Sequence, residues 1–244
     1  MADIFTQVNR FFNELKSPFL YLEAQVLLGL YLLHSSGAIG RYSLAEELLL
    51  PSSRVRKILE VFRNAGLVEG ERGRRGANLT EESQNWVQDL FGKFKILNLA
   101  GNWDLGVLAV EHYNVLCSTP LELVCPDLDS ITVRDTAIKI GASGATAFQV
   151  TLYPEQLPLV RFYGESVEQT KTLPPEVTNA LARLSTKLET YFSGNVGEWI
   201  VVAGSARFDP RPKNLPFLQE GVMDPLRLAR LAAIQSVYEM VMIN

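Results

Sequence analysis

A chain of 244 residues, 47% hydrophobic and 20% charged, has core material for one large globular domain or two of ordinary size. No run of about 18 apolar residues occurs, so no membrane-spanning helix is expected, and two cysteines are too few for a disulfide framework. The formal net charge is −4, yet residues 51–76 hold seven basic side chains against three acidic ones, a local +4 that leaves −8 for the rest of the chain.

The N-terminal stretch MADIFTQVNRFFNELKSPFLYLEAQ interrupts its apolar residues with Asp3, Gln7, Arg10 and Glu14. That is not the continuous apolar core of a secretory signal, and a cytoplasmic protein is expected. Ile4, Phe5, Val8, Phe11, Phe12 and Leu15 stand at helical spacing and predict a first helix over 3–16, closed by Pro18. A second helix over 22–34 is apolar nearly all round, which predicts burial on several sides, and it leaves through the glycine-rich SSGAIG. Ser43, with Glu46 three residues on, predicts a capped short helix over 44–49. Pro51, Ser52 and Ser53 then turn the chain into a third helix over 53–65, with Gly66 as its terminal glycine. LVEGERGRRGANLT reads as two short strands around a glycine-containing loop. Thr80 caps the next helix, with Glu81 and Glu82 in its first turn.

From about Phe94 onward the pattern changes. FKILNLAG and YNVLCSTPLELVC read as strands, and the stretch from Ser130 to Glu165 as a helix followed by a hairpin. Thr132 with Asp135 is expected to cap that helix, which ends at Gly141. The glycines Gly141 and Gly144 are therefore a helix exit rather than a phosphate loop, whose order is strand, glycines, helix. Pro175 opens an amphipathic helix that ends before Gly194, EWIVVAGSARF is a strand, and Asp224–Pro225 starts a final helix. The fold class expected is α+β: an N-terminal domain over 1–94, then an α/β domain over 95–244 with a mixed or antiparallel sheet.

The chemistry concentrates on the third helix. Val55, Ile58, Leu59 and Phe62 share one face and should pack inward, which turns Ser53, Lys57, Glu60 and Asn64 outward with Arg54 and Arg56 on the flanks. Hydroxyls and cations at a helix start suit phosphates and guanine edges. Arg72, Arg74 and Arg75 crowd the tip of the following hairpin, where they can reach phosphates or a narrow minor groove. The helix, short helix, turn, helix, hairpin, helix order of residues 20–94, carried by SLAEELLLPSSRVRKILEVFRNAGLVE and GERGRRGANLTEE, resembles the winged helix-turn-helix of bacterial and archaeal regulators. That resemblance implies a DNA-binding transcriptional regulator whose recognition helix enters the major groove, with Arg41, Ser52, Ser53, Arg54, Arg56, Lys57, Arg63, Arg72, Arg74 and Arg75 as the contact set. Double-stranded DNA is the expected partner and a homodimer the expected state. The final helix and the Phe-rich first helix are interface candidates, or else merely cover their own cores. The alternative is a winged helix that binds protein or RNA within a larger assembly. With RDTAIKIGASGAT and DPLRLARLA added, most of the chain resembles uncharacterised archaeal proteins of a domain-of-unknown-function family, which carries no established activity.

No enzyme is expected, since no nucleophile–base spacing or paired carboxylates appear. Arg134, Asp135, Arg161 and Arg207 are the candidates for holding a small-molecule effector in the second domain. No cofactor is expected and no metal either: His112, Cys117 and Cys125 lie close in sequence, but a C-x7-C spacing fits no common zinc site, and buried cysteines beside a strand is the reading adopted.

Overall fold

Helix α1 (Ala2–Glu14) turns Phe11 and Phe12 inward, and the Phe11 ring meets Phe62 and Trp86 edge-on at 6.1 and 6.2 Å. The computed structural model describes residues 2–15, 21–70, 76–97, 101–154, 156–209, 215–218 and 224–242, except the side chains of 2–5, 7 and 8. Helix α2 (Glu23–Ser36) is buried from Ala24 to Leu30, as its all-round apolar sequence requires, and leaves through Gly37 at φ 69°. Gln25 lies wholly buried inside it. Its Oε1 accepts from the Leu22 N–H at 2.9 Å, and its Nε2 donates to the carbonyls of Leu48 (3.0 Å) and Phe217 (2.8 Å).

Helix α3 (Arg41–Glu47) starts earlier than Ser43 predicts, with Gly40 at the cap and the Leu44 N–H bonded to the Gly40 carbonyl. The cause lies one residue before. Ile39 is held extended by a two-bond bridge to Ala77, so the helix begins directly after it and Ser43 sits exposed within its first turn. The helix ends on Leu49, at φ 52°. The Leu49 N–H bonds to the Glu46 carbonyl and the Leu50 N–H to the Ala45 carbonyl, the paired closure usually made on a glycine. Helix α4 (Ser52–Asn64) follows after a turn of four residues and closes the same way on Gly66 (φ 73°). Strands β1 (Val68–Glu69) and β2 (Asn78–Leu79) pair antiparallel, and helix α5 (Glu81–Lys93) starts on Thr80, whose Oγ1 accepts from the Ser83 N–H.

These elements belong to one compact unit, residues 1–92, which also holds a returning passage, 209–227. Besides the Phe217 carbonyl on Gln25, that passage brings Arg227 to Glu47 in two charge-assisted bonds at 2.9 and 3.2 Å.

The second unit, residues 93–208 and 228–244, is built on a five-stranded antiparallel sheet. Its strands are β3 (Lys95–Leu97), β4 (Tyr113–Pro120), β5 (Gly144–Leu152), β6 (Leu159–Phe162) and β7 (Gly197–Ala206), in spatial order β3-β4-β7-β5-β6. The last strand in sequence thus sits at the centre. Alternation along β7 divides the core in two. Trp199, Val201 and Ala203 join Leu116, Phe148 and Val150 beneath helix α8 (Pro175–Phe192), which presents Leu181, Leu184 and Leu188. Ile200, Val202 and Gly204 face the other way. There the Gly204 backbone lies against Ala229 and Ala233 of helix α9 (Pro225–Met242), and Ser236 of α9 donates to the Val133 carbonyl of helix α6 (Ser130–Lys139). A short helix α7 (Val167–Lys171) links β6 to α8.

Two expectations need amendment here. Helix α6 is capped by Asp129, whose Oδ1 accepts from the Thr132 N–H and hydroxyl at 2.8 Å each, rather than by Thr132 with Asp135. Those bonds hold the Asp129 carboxyl below its usual pKa. Helix α9 is buried at every position from Leu228 to Tyr238 and therefore offers no free face along that length.

Candidate nucleic-acid interface

Helix α4 separates its residues as its spacing predicts. Val55, Ile58, Leu59 and Phe62 are buried, with Val61 added to the stripe, while Ser53, Arg56, Lys57, Glu60 and Arg63 are exposed. Among the described residues, Arg56 and Arg63 have no acidic partner within ion-pair distance, whereas Lys57 Nζ sits 3.2 Å from Glu60. That exposed pair is worth a fraction of a kcal/mol, about 0.3–0.5 for helix neighbours, so Lys57 can exchange Glu60 for a phosphate at little cost.

Arg54 behaves differently. It is half-buried, and its guanidinium donates to the Pro216 carbonyl of the returning passage. Burial pushes the Tyr21 phenol above its usual pKa while the Arg54 charge pulls it back, which places this cation within electrostatic reach of Tyr21. Arg54 thus ties α4 to its own unit. Ser52 is half-buried beside it. Arg41, at the start of α3, lies over the Tyr42 ring at 5.0 Å and donates to its hydroxyl at 3.2 Å. Tyr42 itself is 70% exposed and is a contact candidate that the sequence did not single out, because nothing in RYS distinguishes a buried tyrosine from an exposed one.

Arg72, Arg74 and Arg75 lie outside the described residues. The base of their hairpin does not. Glu69 pairs with Asn78, Gly70 has φ 129° and Gly76 φ 79°, and a side chain at Gly76 would overlap the Ile39 carbonyl. Two glycines at positive φ therefore flank residues 71–75, and the Ile39 bridge holds the chain at Ala77.

The effector candidates do not converge. Arg134 pairs with its neighbour Asp135 at 3.0 Å on the exposed side of α6. Arg161 lies across the sheet at 3.6 Å from Glu198, which also accepts from Gln149 at 2.9 Å. Arg207, at the opposite end of β7 from Glu198, is 4.0 Å from Glu111. The second unit has a cavity of about 510 Å³ beside Pro120, Glu122, Val196 and Trp199, and of the four candidates none lines it.

Among the described residues no group of three or more His, Cys, Asp or Glu could hold a metal ion. Cys117 is fully buried in β4, and burial pushes its thiol well above the usual range, whereas His112 is exposed before the strand begins. A thiol raised in this way stays protonated through neutral and mildly alkaline pH, so Cys117 is expected to resist thiol-specific reagents from pH 7 to about 9. Labelling that became fast as pH rose, with the fold intact by circular dichroism, would contradict this. Among the described residues no helix is long and apolar enough to cross a membrane.

No family model matches the chain, and no curated protein matches it. Among solved structures it is similar to the hypothetical protein PH0730 from Pyrococcus horikoshii OT3, with a TM-score of 0.53 and 16% identity over 91% of this chain and 94% of that one. The likeness is one of fold: a mixed α+β chain, extending over nearly the whole of both proteins, with an uncharacterised archaeal neighbour.

Proposed function

We propose that the first unit is a winged helix that binds double-stranded DNA, and that the protein is a dimeric transcriptional regulator. One observation carries the reading. Helix α4 presents Ser53 and Lys57 opposite its buried stripe and the exposed Arg56 and Arg63 on one flank of it, on the second helix of a tight helix-turn-helix. In the major groove those cations reach phosphates and guanine edges. Further support comes from the element order, with the β1–β2 pair extended by the Ile39–Ala77 bridge and three arginines in the sequence between the two strands. The acidic balance of the remaining chain also favours one dedicated face over general polyanion binding. The second unit then dimerises, since one winged helix covers modest surface on DNA and paired half-sites raise specificity.

Titration of duplex DNA at several salt concentrations tests the proposal. Arg56→Ala with Arg63→Ala is expected to weaken binding and to reduce the salt slope by about 0.9 for every phosphate that is no longer neutralised; Arg74→Ala with Arg75→Ala should do the same. Unchanged affinity and slope in both double variants would remove the DNA reading. Retention of RNA or of a protein partner by the wild type, with no duplex binding, would put the interaction-module alternative in its place.

A further inference from the structure

The outward side of α6 combines exposed apolar residues with an ion pair. Four residues of this ten-residue helix form one stripe at helical spacing: Ile131, Arg134, Asp135 and Ile138. Ile131 is 55% and Ile138 49% exposed, one turn to either side of an ion pair, while Val133, Thr136 and Ala137 on the opposite side are buried. The arrangement is symmetric. Ile131 and Ile138 are centred on the point midway between Arg134 and Asp135, and so are Arg134 and Asp135 themselves. The apolar surface continues off the helix. Val110, 49% exposed, approaches the Arg134 side-chain stem, both lying within ordinary contact of where a side chain at Gly144 would be. The neighbouring Glu111–Arg207 pair adds one more charge of each sign.

We infer that α6 is the homodimer contact: two copies pair antiparallel across a two-fold axis that crosses the helix between Arg134 and Asp135. Ile131 packs on the partner's Ile138 and Arg134 faces the partner's Asp135. A two-fold interface must be self-complementary, each residue meeting the counterpart that its own equivalent meets in return. A stripe ordered apolar, positive, negative, apolar satisfies this in the antiparallel direction alone. In a parallel pairing, Arg134 would face arginine and Asp135 aspartate. A net charge of zero on the stripe disfavours the acidic or basic partner that a one-sided patch would attract. The inference rests on the regulator reading for its purpose, because that reading is what calls for paired winged helices.

Sedimentation velocity of the full chain without DNA tests it. The wild type is expected to dimerise at micromolar concentration. Arg134→Asp sets acidic residues against each other twice across the axis and should raise the dimer dissociation constant about tenfold or more. Arg134→Asp combined with Asp135→Arg restores the complementarity and should restore the dimer. Equimolar Arg134→Asp and Asp135→Arg chains, each weak alone, should associate with one another. Ile138→Lys, at an exposed position where folding is spared, should give a monomer with an unchanged circular dichroism spectrum. A wild type monomeric at all concentrations, or a dimer indifferent to Ile138→Lys and to the charge swap, would overturn the inference. The two readings fail separately. Dimers disrupted in Arg134→Asp without any duplex binding leave this contact standing and remove the regulator, and duplex binding by a monomer does the reverse.

Discussion

Gly204→Ala is expected to destabilise the second unit by about 3 kcal/mol or more, one of the two largest effects of a single substitution expected for this protein. Gly204 lies in β7, the central strand, with β4 on one side and β5 on the other, so the strand cannot move aside without disturbing both ladders. The atoms a methyl group would meet are the Ala229 carbonyl oxygen and the Ala233 amide nitrogen, both helix backbone. Neither can rotate away as a flexible side chain would. Ala229 and Ala233 are four residues apart on α9 and form a shallow groove of small residues, and the absence of a Cβ at position 204 lets the strand enter it. The contrasting substitution is Gly29→Ala in the middle of α2. There the added methyl would meet Leu48 and Phe62 side chains at 3.7 and 3.8 Å, ordinary contact distances, and the helical φ suits alanine. It should be neutral or stabilising by up to about 1 kcal/mol. Denaturant midpoints for the two variants should therefore move in opposite directions or differ by several-fold in size. A Gly204→Ala protein as stable as the wild type would mean that β7 and α9 do not approach this closely.

What the sequence revealed and what it concealed divide along physical lines. Gly66 and Gly141 were legible as helix exits because a residue at positive φ is nearly always glycine, and both stand at φ 73° and 88° closing α4 and α6. Leu49 makes the same closure after α3 without that signal. Its left-handed backbone costs about 1–2 kcal/mol, and the burial of its side chain offsets this, a compensation visible only once the fold exists. The spacing of Val55, Ile58, Leu59 and Phe62 gave the buried face of α4 directly, because periodicity is local. The strand order β3-β4-β7-β5-β6 is not local: β7 is the last strand in sequence and lies at the centre, and no short-range pattern encodes that. Charge was legible, but its employment was not. Arg54 and Arg56 look equivalent in SSRVRK, yet one donates to the Pro216 carbonyl and the other is exposed. Nor did the sequence show that residues 215–218 return to the first unit.

That return leads to the second large effect. Gln25→Leu is expected to cost about 2–4 kcal/mol, although leucine is close in volume and suits an apolar helix. Gln25 is completely buried and is bonded through both ends of its amide. Leucine would leave the Leu22 N–H and the Leu48 and Phe217 carbonyls without this partner. Two of these groups sit at structural joints: Leu22 at the entry to α2 and Leu48 at the exit of α3. The third is the one by which Gln25 holds residue 217. Loss of that bond should open the passage around Phe217 to protease before the first unit unfolds globally, since local opening needs only the local bonds to break. Gln25→Glu separates the donor role from volume. It keeps an acceptor for Leu22 but removes both N–H donors and buries a carboxylate against two carbonyls, so it should be at least as damaging as leucine. Arg54 supplies the remaining check, because its guanidinium donates to the carbonyl one residue earlier, on Pro216. Gln25→Leu and Arg54→Ala therefore loosen the same passage, and their combined cost should fall short of the sum of the two. Additive losses, or cleavage near residue 217 no faster in Gln25→Leu than in the wild type, would show that Gln25 serves only the α2–α3 joint and that the passage is held by other contacts.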